Sequence, residues 1–141
     1  MDAILKTTLI SKINQSTWWH VLPRDMEAYK KRGKFLASTY RQAGFYGRPN
    51  NIPDRVEIKN PVYGFSEKEI LMQLFPHDWK NLMLNNEANY NDRIALDARM
   101  YCKARALGYD AIVLIDHNGK DALKRNRKPY SIELNLLYPK S

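Results

Sequence analysis

The chain has 141 residues, of which 44% are hydrophobic and 27% charged, with 6 glycines and 7 prolines. A chain of that size buries about two-thirds of its unfolded surface, so one domain over residues 1–141 is expected, and disordered, collagen-like and low-complexity classes are excluded. Lys and Arg outnumber Asp and Glu by 23 to 15, a net charge of +8 that attracts phosphate backbones and acidic protein faces.

Asp2 to Asn14 reads as a helix, with Ile4, Leu5, Thr8, Leu9 and Lys12 near three-to-four spacing and Asp2 as a cap. Its charges at Asp2, Lys6 and Lys12 break the apolar stretch that a signal peptide needs. Thr17 to Leu22 is aromatic and branched, a strand stopped by Pro23. Pro23 to Lys31 suits a short helix ending at Gly33. Lys34 to Thr39 is the second strand, followed by a short helix around Arg41 to Tyr46 and a loop marked by Gly47, Pro49, Asn50, Asn51 and Pro53. Arg55 to Lys59 alternates charged and apolar residues, as a half-buried strand does, and Asn60-Pro61 ends it.

Ser66 and Glu69 form a capping box for a helix that halts at Pro76, and Asp78 to Leu84 is a further helical piece. Asn91 to Leu107 is the longest helix, with Ile94, Ala98 and Tyr101 on one stripe, widened by Leu96, Met100 and Leu107, and Gly108 at its end. Ala111 to Ile115 is continuously apolar, a strand buried on both faces. His117 to Lys120 turns the chain into a basic segment of Lys120, Lys124, Arg125, Arg127 and Lys128, read as a loop. Tyr130 to Tyr138 is the last strand. About five strands and four helices without regular alternation make the class α+β.

No apolar run approaches the roughly 18–20 residues of a membrane span. Cys102 stands alone, which excludes an internal disulfide and favours a cytoplasmic setting. Nucleotide-loop, zincin and serine-hydrolase motifs are absent. His20, His77 and His117 lack ligand spacing, so no metal is expected.

Four fragments stand in order: Trp19-His20-Val21, Gly33-Lys34-Phe35-Leu36-Ala37-Ser38-Thr39 with Ala43-Gly44-Phe45-Tyr46, Leu107-Gly108-Tyr109-Asp110 leading into Ala111, and Glu133 six residues before Pro139. This order resembles the small ADP-ribosyltransferases of phages, toxins and the poly-ADP-ribose polymerase branch, over about Trp18 to Pro139. The resemblance implies a split mixed β core with flanking helices and NAD as substrate. It implies that His20 hydrogen-bonds a ribose hydroxyl, that Tyr46 stacks on nicotinamide with Phe35 near it, and that Glu133 holds the nicotinamide-ribose 2′-hydroxyl. Val21 would clamp the nicotinamide amide through its backbone, with Thr39 at the end of the Phe35 strand among the NAD-binding positions. Val21-Leu22-Pro23 departs from the Gly and Ser or Thr usual after the family's histidine, and Ser131 stands where arginine- and asparagine-modifying toxins carry Glu or Gln.

The resemblance thus implies a mono-ADP-ribosyltransferase, a phage effector or toxin in host cytoplasm, modifying a macromolecule. The rivals are a catalytically silent scaffold and a basic nucleic-acid-binding module. Lys120, Lys124, Arg125, Arg127 and Lys128 are the expected partner-binding residues. An acidic host protein is favoured over nucleic acid, because no aromatic residue lies between Asp116 and Pro129, although Tyr130 follows directly. The bland readings are an outward strand carboxylate for Glu133, a satisfied half-buried histidine beside two tryptophans for His20, core packing for Tyr46 and Cys102, and a solvated loop for the basic segment.

Overall fold

The computed structural model describes residues 3–22, 34–38, 48–49, 54–85 and 90–137. The helices expected at 23–31 and 41–46 lie outside them. Helix α1 (Ala3–Asn14) buries Leu5, Leu9 and Ile13, one turn apart, while Ile4 is 77% exposed. The inward stripe is therefore centred one residue on from the Ile4–Thr8–Lys12 row. Strand β1 (Thr17–Leu22) has the expected bounds. Its Trp18 is fully buried, and the indole N–H donates to the Ile13 carbonyl at 3.0 Å, fixing helix to strand.

Strand β2 (Lys34–Ala37) stops before Ser38, where the chain bends. Two short strands, β3 (Arg48–Pro49) and β4 (Asp54–Arg55), pair antiparallel with β1, so part of the expected Pro-rich loop is ladder. The strand expected over Arg55–Lys59 is corrected: only Arg55 pairs. Burial alternates there as foreseen, with Ile58 buried and Glu57 and Lys59 exposed. The backbone of Ile58 is served by a side chain instead of a neighbouring strand. Asn14 Oδ1 accepts from its N–H at 2.8 Å, and Asn14 Nδ2 donates to its carbonyl at 3.0 Å.

Strand β5 (Pro61–Gly64), entirely buried, begins at the proline expected to end a strand. Proline at a first position sacrifices no interior ladder bond. Helix α2 (Glu67–Leu74) is capped by Ser66, whose Oγ accepts from the Glu69 N–H. The Glu69 carboxylate reaches back to the Phe65 N–H, one residue beyond the usual box. Helix α3 (Trp79–Asn85) follows, then α4 (Tyr90–Ala106), whose buried residues include Leu96, Met100, Tyr101 and Ala104. Leu107 falls off that stripe and is exposed. Gly108, at φ +88°, ends α4: its N–H donates to Arg105 and that of Tyr109 to Ala104, both at 3.0 Å. Those are the paired bonds of a Schellman motif.

Strand β6 (Ala111–Ile115) runs between a parallel β5 and an antiparallel β7 (Ile132–Leu136), which is shorter than the expected Tyr130–Tyr138. The basic segment between them is corrected from a loop to helix α5 (Gly119–Lys124) and a turn. The strand order is β3-β1-β2-β7-β6-β5, with β4 also on β1. Among the described residues the strands form one continuous mixed sheet, without the split that the resemblance implies. One face packs against α1 and α5 through Leu9, Ile13, Val113, Leu123 and Leu134. The other packs against α2, α3 and α4 through Val62, Leu71, Met100 and Ile112. The chain is a single α+β domain. Among the described residues no helix is long and apolar enough to cross a membrane.

Candidate active-site cleft

Successive residues of a strand face opposite sides of a sheet, so the register sorts the candidate residues by face. Ile132 and Leu134 of β7 join the α1 side, which leaves Glu133 and Asn135 on the side of α2 and α4. Across the sheet Glu133 lies opposite Leu114 of β6 and Ala37 of β2, and Ala37 lies opposite Trp19 of β1. The next row runs from His20 through Leu36 and Leu134 to Val113. Leu36, Leu134 and Val113 belong to the α1-side core. Phe35 lies opposite Asn135, two residues along from Glu133.

Glu133, Asn135 and Phe35 form the floor of a cleft, whose far wall is Glu67 of α2 with Arg93 and Asp97 of α4. Ile70 and Met100 supply its apolar part. Arg93 bridges the two helices: Nη1 lies 2.8 Å from Glu67 Oε2 and Nη2 lies 2.9 Å from Asp97 Oδ1. Burial works to lower the Arg93 guanidinium, but Asp97 and Glu67 outweigh it and raise it above the ordinary arginine value. Among the described residues three carboxylates and one guanidinium therefore line the cleft. A site with that surplus favours a reacting group that develops positive charge. The cleft is half open, with a volume of about 70 Å³ between its described residues, against roughly 300–1,000 Å³ for a whole small-molecule site.

The fold brings Glu133 and Phe35 together at this cleft. His20 and Val21 lie on β1, with their backbones paired to Leu36 and Pro49. Thr39 and Tyr46 lie outside the described residues. Lys120, Lys124, Arg125, Arg127 and Lys128 are all exposed, on α5 and the turn after it. Burial lowers the Lys128 amine, which lies 5.2 Å from the centre of the Trp18 ring. Among the described residues no group of three His, Cys, Asp or Glu side chains is placed to hold a metal.

Sequence reasoning missed Trp19, Glu67, Arg93 and Asp97. The Arg93–Asp97 pair was legible as an i,i+4 contact. Glu67, 26 residues earlier, joins them only through the packing of α2 on α4. The Gly108-Tyr109-Asp110 fragment has a structural task here: Asp110 accepts from the N–H groups of Lys59 at 2.7 Å and Asn60 at 3.0 Å, aligning β5 beside β6. Comparison of the chain with protein-family models, curated proteins and solved structures returns no match.

Proposed function

We propose that the protein is an NAD-dependent mono-ADP-ribosyltransferase in which Glu133 stabilises the ribosyl cation. What supports the reading is that Glu133, on β7, lies beside the Phe35 strand β2, which in turn lies beside the His20 strand β1. A strand from the C-terminal part of the chain thus adjoins a pair of consecutive strands from its N-terminal part. In the proposed reaction the bond between nicotinamide and ribose breaks, and nicotinamide leaves with the bonding electron pair. The resulting oxocarbenium-like carbon is attacked by an acceptor nucleophile, whose proton is released to solvent. Glu133 acts by charge, with Glu67 and Asp97 adding to the negative potential around it. Tyr46 is assigned to the nicotinamide by resemblance, and so is His20 to the ribose, although its row across the sheet is that of the α1-side core and not that of Glu133. Trp19, in the Glu133 row, is a further aromatic candidate for the nicotinamide.

The test is nicotinamide release from NAD. Glu133→Gln is expected to lower turnover by about 10²–10³ while NAD affinity stays within about twofold, because the loss falls on the transition state. His20→Ala and Tyr46→Ala are expected to weaken NAD binding as well. Release unchanged in Glu133→Gln would remove that residue from the chemistry. The second reading is a catalytically silent scaffold. That reading requires that the wild-type protein bind no NAD at millimolar concentration.

A further inference from the structure

We infer that α5 and the turn behind it, residues 119–130, form a binding platform for single-stranded nucleic acid. Residues 120–128 hold five cations and one carboxylate, Asp121, a local charge of +4 that is half of the chain's +8. Arg125 is paired to Asp121 at 3.5 Å, and Lys128 turns toward the Trp18 ring. Lys120, Lys124 and Arg127 remain exposed, and no carboxylate among the described residues pairs with them. Tyr130 follows at 90% exposure. A phenol ring so fully in solvent contributes little to the core, and stacking on a base is a use that ring and position both suit.

The segment is held as a fixed surface. Leu123 is buried against the α1 side, and the Arg127 N–H donates to the Ala122 carbonyl at 2.8 Å. Asn126, at φ +58°, reverses the chain after α5. At the base, the Asp116 carboxylate accepts from the Ser131 N–H, and the Asp116 N–H donates to the Ser131 carbonyl, both at 3.1 Å. A Cβ at Gly119 would run into Ile115 and meet Pro129 at 3.2 Å, so the start of α5 is seated on the residue before Tyr130. Lys120 and Tyr130 therefore emerge at the same end of the sheet. Cations to track phosphates and an aromatic face to stack a base, fixed in advance, are what sequence-tolerant single-strand binding uses. An acidic protein face would use the cations as well, and tyrosine also packs at protein interfaces, so polyglutamate is the competitor that separates the two. Tyr130 is three residues from Glu133, at most about 11 Å along an extended chain. The platform itself packs on the face of the sheet opposite the cleft, so its binding stands apart from the transferase reading.

The experiment is fluorescence anisotropy of labelled oligothymidylate and oligouridylate with the full chain, without NAD, over a range of salt. Because NAD is absent, failure of binding is separate from failure of the transferase reading. Three phosphate contacts predict a slope of log affinity on log salt near −2, since each contributes about −0.7 on single strands. Lys124→Ala with Arg127→Ala should flatten the slope to about −0.7. Tyr130→Ala should weaken binding about 5- to 150-fold with the slope unchanged, and Tyr130→Phe should restore it. Unchanged thermal melting of these surface variants keeps the comparison clean. The inference is overturned if Tyr130→Ala binds as the wild type does. It is overturned in favour of an acidic protein face if polyglutamate binds as tightly as the oligonucleotides, and in favour of a duplex site if double-stranded DNA binds more tightly than either.

Discussion

Arg93 holds Glu67 and Asp97 at once, from a side chain that is 39% exposed. At that exposure water screens each pair, so the energetic return is small, and the main effect is to fix two carboxylates on the wall facing Glu133. Arg93→Met is expected to destabilise the fold by about 1 kcal/mol in urea titration. A double-mutant cycle with Glu67→Gln should show coupling of a few tenths of a kcal/mol or more, weakening with salt. Zero coupling would mean that the bridge does not order the wall. Glu133 shows how much a residue's meaning depends on its neighbours. In the sequence it is one charge in an alternating strand; in the fold it shares a cleft with an arginine and two further carboxylates.

At the scale of elements, caps and turns carry much of the definition. Gly108 adopts φ +88°, and a Cβ added there meets nothing within 4 Å. Gly108→Ala should therefore cost only the backbone conformation, about 1–2 kcal/mol by thermal or urea unfolding. A neutral result would show that α4 can end without a left-handed residue. Ser66→Ala should cost about 1 kcal/mol by removing one N-terminal acceptor from α2. The same local signals that made these two helix ends readable were weak in α5. It has six residues, and its one deeply buried side chain, Leu123, gives no periodic stripe to detect.

For the whole molecule, the segment 56–60 is the joint between α1 and the sheet. Asn14 satisfies both backbone groups of Ile58, while Asp110 holds Lys59 and Asn60 from the end of α4. Lys6 of α1 adds a bond to the Asn60 side chain at 2.6 Å. Asn14→Ala would leave a buried N–H and carbonyl without their partner. The expected loss is about 2–4 kcal/mol of stability, since each orphaned group costs about 1–3 kcal/mol and water recovers part of it. Unfolding midpoints that differ from wild type by less than the measurement error would show that water reaches Ile58 freely.

The local pattern by itself determined α1, β1, the Ser66 helix start, the Pro76 stop, the Gly108 end and the buried character of β6. Each depends on residues within one turn or one strand of each other, where spacing and backbone preference act directly. The strand at Pro61 was not legible, because a proline after a polar run reads as a stop unless a neighbouring strand is known to need no N–H there. Arg55–Lys59 displayed the alternation of a strand without its ladder, because burial sets alternation and a partner sets pairing, and the partner is an asparagine 44 residues away. The order β1-β2-β7, the row that puts Trp19 in line with Glu133, and the meeting of Glu67 with Arg93 were decided by tertiary structure alone. They depend on which strands pair and in which register, and a shift of one residue would exchange the two faces of the sheet.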